Sequence, residues 1–203
     1  MTKTRTYEMK RRAERQEQTR QRIVAAAVEL HSTLGPSRTT VHAIAEKAGV
    51  TRPTVYAHFP DSRSLFEACS GHVRETVPPP DPTGWAQIAD PRARLNAALS
   101  DVYGYYERIE KLLDNVERDA PLMPVVAEIN TYRVRYLEQV AELLTSAWPA
   151  RGQARRLVRQ AVGHALEFTT WRSLAREQGC TRREAVQLMV ALADVAAGGA
   201  LRR

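Results

Sequence analysis

Apolar positions recur along this chain at intervals of three and four residues, and no stretch shows the strict alternation of a half-buried strand. The pattern predicts an all-α fold. Ile23, Val24, Ala27, Leu30 and Leu34 form the stripe of a first helix that starts near Glu17, or further back towards Glu8, and stops at Gly35-Pro36. Val41, Ile44, Ala45 and Ala48 mark a short second helix, and a third of about two turns runs from Thr51 towards Pro60. A fourth begins at Asp61 or Ser62, buries Leu65, Phe66, Cys69 and Val73, and stops before Pro78-Pro79-Pro80. Residues 78–90, rich in Pro and Asp, read as a loop. Four longer helices are predicted beyond it: Pro91 to Asp119, Val125 to Trp148, Gln153 to Gln178, and Thr181 to Ala197. Thr181 with Glu184 three residues on is a capping box, and Gly198-Gly199 stop the last helix.

The proline run divides the chain into a head, residues 1–77, and a body, residues 78–203. In the head, TTVHAIAEKAGVTRPTVYAHFPDSRSLF (residues 39–66) is the most specific segment. Thr39 and Thr40 supply hydroxyls for the free N–H groups of a helix start. Gly49 stands where a helix end needs a left-handed backbone. Thr51 caps the next helix, and Pro53 occupies its first turn, where a missing N–H costs little. A short polar helix packed on a short apolar one through such a turn is a helix-turn-helix, the arrangement that lowers a helix into the major groove of DNA. Arg52 is the long cation of that helix and suits guanine O6 and N7. Thr51 and Thr54 suit phosphates or thymine methyls. His42 and His58 fall on the same face, and Thr40 at a helix start can hold a phosphate.

The run from Thr39 through Ile44-Ala45, Ala48-Gly49-Val50, Thr51, Thr54, Tyr56, His58-Phe59 and Leu65 resembles the DNA-binding domain of TetR-type transcriptional repressors. The resemblance covers roughly residues 20–75 in one register without gaps. It implies a three-helix helix-turn-helix head joined to a larger C-terminal helical bundle, roughly nine helices in total. It also implies that Tyr56 and His58 hold the DNA backbone. The family usually carries Lys after the cap of the fourth helix. Here Ser62 fills that slot, and Arg63 is the neighbouring cation that can make the phosphate contact.

Charge sharpens the DNA reading. The chain carries a formal +7, and residues 1–22 alone hold eight basic side chains against three acidic. Such a concentration beside a helix-turn-helix fits an arm that neutralises phosphates, or else an ordinary solvated tail. No run of about 20 apolar residues is present to span a membrane, and the charged N-terminus lacks the apolar core of a secretory signal. Cys69 and Cys180 are too few for a disulfide framework and fit two thiols in a reducing cytoplasm. No serine elbow, phosphate-cradling glycine loop or zinc helix occurs, so no enzyme activity, cofactor or metal is expected. His31 and His72 read as helix-surface or domain-contact residues. His164 is placed facing the body core, as a hydrogen-bonded histidine or a ligand contact.

In the body, Tyr106, Tyr132, Tyr136, Phe168 and Trp171 cluster on the middle helices with Tyr103 and Tyr105. Aromatic stripes at this spacing build cores. The resemblance implies an effector cavity between the same helices, in which those five residues would bind a small molecule. Val158, Ala161, Val162 and Ala165 on one late helix, and Val186, Met189, Val190 and Ala193 on the other, form apolar faces with small residues. These faces close either within one chain or against a second copy in a homodimer. The function expected is a ligand-responsive repressor that binds a pseudo-palindromic operator as a homodimer. The alternative is a ligand-independent DNA-binding protein whose body only dimerises or recruits another protein.

Overall fold

The computed structural model describes the backbone of residues 2–198 and the side chains of residues 7–198. The side chains of Lys3 and Arg5 of the basic arm, and Gly199 of the final stop, lie outside what is described. Among those described there are ten α-helices and no strand. The chain forms two compact units. One holds the residues up to Pro78 together with Lys111–Asn130, and the other holds Pro79–Glu110 together with Thr131 onwards. This grouping differs from the division at residues 77 and 78, because part of the supposed body packs with the head.

In the first unit, α1 (Thr2–Thr33) is longer than its apolar stripe predicts. Its N-terminal half contains Arg, Lys, Glu, Gln, Ala and Met, all good helix formers, and meets no breaker before Gly35. Ile23, Val24 and Ala27 are buried as expected, while Leu30 is half-buried and Leu34, beyond the last turn, is exposed. Gly35 takes φ 96°, a left-handed value that turns the chain into a 3-10 turn at Pro36–Arg38. Then come α2 (Val41–Ala48), α3 (Arg52–His58) and α4 (Ser62–Thr76). Their core joins Ile23, Val24, Ala27, Ile44, Ala45, Val55, Phe59, Leu65 and Cys69. Phe66 and Val73, expected in that core, are only half-buried.

Of the two readings of His31, helix surface or domain contact, burial removes the first: it is 4% exposed, and its ring stacks on Phe66 at 4.9 Å. The segment 111–119 holds the end of α1 in place. Asn115 donates to the carbonyls of His31 (3.0 Å) and Ser32 (2.9 Å), two groups a helix end leaves free. Asp119 is 1% exposed and accepts from Arg118 (2.7 Å) and from the Ser37 N–H (2.9 Å). The Arg118 bond, helped by Ser37, holds its carboxyl down at about 2.

Burial lowers the His31 imidazole to about 4, with nearby Asp119 opposing. The unfolded chain therefore takes up a proton near pH 6.5 that the folded chain refuses until about pH 4. The first unit is expected to lose stability as pH falls through that window, at about 1.4 kcal/mol per pH unit. Urea midpoints at pH 7 and pH 5 test this: His31→Leu should remove most of the slope, and an unchanged slope would assign the loss to other groups.

In the second unit, the segment read as a loop contains α5 (Thr83–Ala86). It exists to seat Trp85, which is 3% exposed and donates its indole N–H to Asp101 at 2.8 Å. The helix α6 (Pro91–Asp119) is non-helical at Ile109 (φ −117°, ψ 15°), just before the chain passes into the first unit. After a 3-10 turn at Ala120–Leu122, α7 (Pro124–Ser146) ends two residues before the expected Trp148.

The single helix expected from Gln153 to Gln178 is broken. α8 (Gly152–Leu166) stops at an extended Glu167 (φ −69°, ψ 137°), α9 (Phe168–Arg172) follows, and a π-helical turn covers Ser173–Glu177. The break frees two carbonyls, which accept from buried tyrosines: Tyr103 to Ala165 at 2.9 Å and Tyr106 to Leu166 at 2.5 Å. Periodicity cannot reveal an exchange of helical bonds for phenolic ones. α10 (Arg182–Gly198) starts with the predicted capping box, in which the Thr181 N–H donates to Glu184 at 2.8 Å and the Glu184 N–H to the Thr181 hydroxyl at 3.3 Å.

Candidate nucleic-acid interface

The reading head is built by three caps and one turn. The Thr40 hydroxyl accepts from the Ala43 N–H at 3.1 Å and starts α2. Gly49 ends it in the left-handed region at φ 65°, where any side chain would be strained. The Thr51 hydroxyl accepts from Thr54 N–H at 3.4 Å and starts α3, and Asp61 accepts from Ser64 N–H at 2.7 Å and starts α4. Those bonds from Ser64 keep the Asp61 carboxyl below the usual carboxylate range, so this helix start carries a negative charge of its own.

Only Val55 of α3 is buried. One anchor on a two-turn helix leaves the rest of its surface to solvent. Arg52 and Tyr56 are exposed, as are Thr40, His42 and Thr51, while Thr54 and His58 are half-buried. Thr51 and Thr54 share a hydroxyl–hydroxyl bond of 2.9 Å, so each retains part of its capacity for an outside partner. The His58 ring lies 6.5 Å from that of Phe59, which is core. The Arg63 guanidinium is exposed, is paired with Glu128 and lies 3.8 Å from Glu67. A phosphate would have to displace a carboxylate there.

Two cations that the sequence offered only as N-terminal charge are brought against the head. Arg20 lies over the Phe59 ring at 5.2 Å. Arg22 Nη1 lies 3.8 Å from where a Cβ would stand on Gly49, at the turn itself. Each sits within one helical turn of the buried Ile23 and Val24, which is the signal that would have placed them.

The candidate effector residues do not all meet. Tyr106, Phe168 and Trp171 form one buried cluster, with ring separations of 5.4, 5.5 and 5.9 Å. Tyr136 is half-buried and donates to the Pro80 carbonyl at 2.6 Å, and Tyr132 is 54% exposed. Burial pushes the Tyr106 and Tyr136 phenols up, so both stay protonated donors. The Trp171 indole N–H is buried with no acceptor among the described residues. His164 is exposed, contrary to the core placement, with Nδ1 3.2 Å from the Thr170 hydroxyl.

The residues offered for a dimer interface are used inside the chain. Val158, Ala161, Val162, Ala165, Val186, Met189 and Ala193 are buried between α8 and α10 or behind them, and Val190 is half-buried. The outward apolar residues of α10 are Leu188, Leu192 and Val195, at 50, 40 and 46% exposure.

The geometry is that of a helix-turn-helix domain, and comparison with known proteins identifies it. Residues 23–69 match the model of the family described as "Bacterial regulatory proteins, tetR family". The regulator SrpR of Pseudomonas putida is 48% identical over 52 residues, which are 26% of this chain and 24% of that protein. The regulator TtgR, also of Pseudomonas putida, is 38% identical over 68 residues, 34% of this chain and 32% of that one. The matches thus span about a quarter to a third of the length of these curated relatives. Over the whole chain the likeness is one of fold. A TetR-like transcriptional regulator from Rhodococcus sp. RHA1 aligns over 89% of this chain and 96% of its own, with 24% identity and a TM-score of 0.62. A TetR-family regulator from Streptomyces coelicolor aligns over 90% and 83%, with 22% identity and a TM-score of 0.63. Residues 23–69 thus carry the DNA-binding domain described for the tetR family of bacterial regulatory proteins.

Among the described residues no helix is long and apolar enough to cross a membrane, and no group of His, Cys, Asp and Glu could hold a metal ion.

Proposed function

We propose that this protein is a DNA-binding transcriptional repressor that acts as a homodimer on a pseudo-palindromic operator and is released by a small molecule. The observation that carries the DNA reading is α3: one buried anchor, Val55, and an outward surface of Arg52, Thr54 and Tyr56 beside the Thr51 cap. Dimerisation is supported by Leu188, Leu192 and Val195, spaced at four and three residues along one exposed line of α10. A two-turn recognition helix reads half a site, and a two-fold axis supplies the other half. An effector would act by binding the body more tightly when the two heads are wrongly spaced, and DNA would weaken the effector by the same factor.

A second reading, a ligand-independent protein, is favoured by the tyrosine hydroxyls: those of Tyr106 and Tyr136 are satisfied by backbone carbonyls of their own unit. The effector reading is favoured by the buried Trp171 N–H, which a ligand's acceptor atom would satisfy.

Selection of bound duplexes from a random pool tests the DNA reading and should return an inverted repeat. On that duplex Arg52→Ala is expected to relax preference at one base pair per half-site, at a cost of about 1–3 kcal/mol. Tyr56→Phe should weaken all sequences alike, as a backbone contact would. A uniform loss for Arg52→Ala would assign base reading to another residue.

A further inference from the structure

We infer that the N-terminal extension of α1 is a second DNA-binding surface that works as a helix, with Arg11, Arg15, Gln18 and Arg22 meeting phosphates beside the segment read by α3. The inference rests on the DNA-binding reading above. α1 runs unbroken from Thr2 to Thr33, and residues 7–18 are exposed. They are therefore held out by continuity with the anchored half of the helix and not by packing.

Register then decides where their charge points. Residues 11, 15, 18 and 22 are separated by four, three and four positions, so they share one face of the helix. That face is fixed by its last member, since Arg22 reaches the Gly49 turn between α2 and α3. Arg15 and Arg11 continue the same line outward for about 16 Å, at 1.5 Å per residue. Glu17 lies on another face, Glu14 borders the basic one between Arg11 and Gln18, and Glu8 stands at its outer end. The line thus carries three guanidiniums away from the reading head, with one of the three carboxylates of the extension clear of it.

The occupant such a line fits is a row of phosphates. Guanidinium groups bind phosphate oxygens in a bidentate fashion, and a helix holds them at fixed spacing. The charges also explain why the extension should be bound to be fully stable. Its first turn has no acidic residue to offset the positive end of the helix dipole. A polyanion does so.

The test measures affinity of the full chain for its selected duplex by fluorescence anisotropy, at salt concentrations from about 50 to 200 mM. Arg11→Gln with Arg15→Gln should flatten the log–log slope by about 3.6 units, since each neutralised phosphate contributes about 0.9 and each copy in the proposed dimer loses two. Base preference should be unchanged. Ala13→Pro keeps every charge but interrupts the helix between Arg11 and Arg15, and should flatten the slope by about 1.8 units, one contact per copy. An unchanged slope for the double variant, with sequence-specific binding intact, would overturn the surface. Flattening by the double variant without any change for Ala13→Pro would overturn the helical form and leave a flexible arm. Absence of any sequence preference in the wild-type chain would instead remove the regulator reading, and the inference with it.

Discussion

Replacing Ala193 with Asp is expected to destabilise the C-terminal bundle severely. Ala193 is fully buried on α10, which packs on α8. An uncompensated buried charge there costs about 3–5 kcal/mol. A domain stable by about 5–15 kcal/mol survives that only narrowly. The expected signature is a large fall in the urea midpoint of the bundle and loss of helical circular dichroism at moderate temperature. Ala193→Ser, which adds one hydroxyl of nearly the same size, should cost much less. If Ala193→Asp keeps the wild-type midpoint, this face of α10 is open in solution and the packing against α8 is wrong.

The second large effect is expected a few residues away, on the other side of the same helix. Leu188→Glu with Leu192→Glu places two carboxylates on a surface that is 50 and 40% exposed in the single chain. Folding stability should change little, because neither side chain fills the core. Assembly should fail, because in the proposed dimer each copy would bring the same charges to the two-fold axis. Sedimentation should show a monomer. Operator affinity should drop by about 10²–10⁴-fold, since the second half-site no longer binds as part of one molecule. A stable dimer in that variant would move the interface away from α10. The pair of experiments also separates two losses of DNA binding, one through unfolding and one through assembly.

The head was legible because each of its signals is local. Thr40, Gly49, Thr51, Pro53 and Asp61 act on backbone groups within four residues of themselves, so their spacing alone announces the helices they start and stop. The Thr181–Glu184 capping box was readable for the same reason. Such features depend on neighbours in sequence, and sequence displays them.

Tertiary structure decided the rest. On α10 the spacing picked out Val186, Met189, Val190 and Ala193, but Leu188, Leu192 and Val195 make a second side apolar, so periodicity could not say which line closes within the chain. Packing against α8 chose Val186, Met189 and Ala193, and left Leu188, Leu192 and Val195 outside. The break at Glu167 depends on hydroxyls of Tyr103 and Tyr106, about 60 residues away in the chain. Arg63 looked free for a phosphate until the fold brought Glu128 to it from 65 residues on. His31 could be a surface or a domain-contact residue until Phe66 and the segment ending at Asp119 closed over it. In each case the deciding contact joins groups far apart in sequence, and only the folded chain brings them within bonding distance.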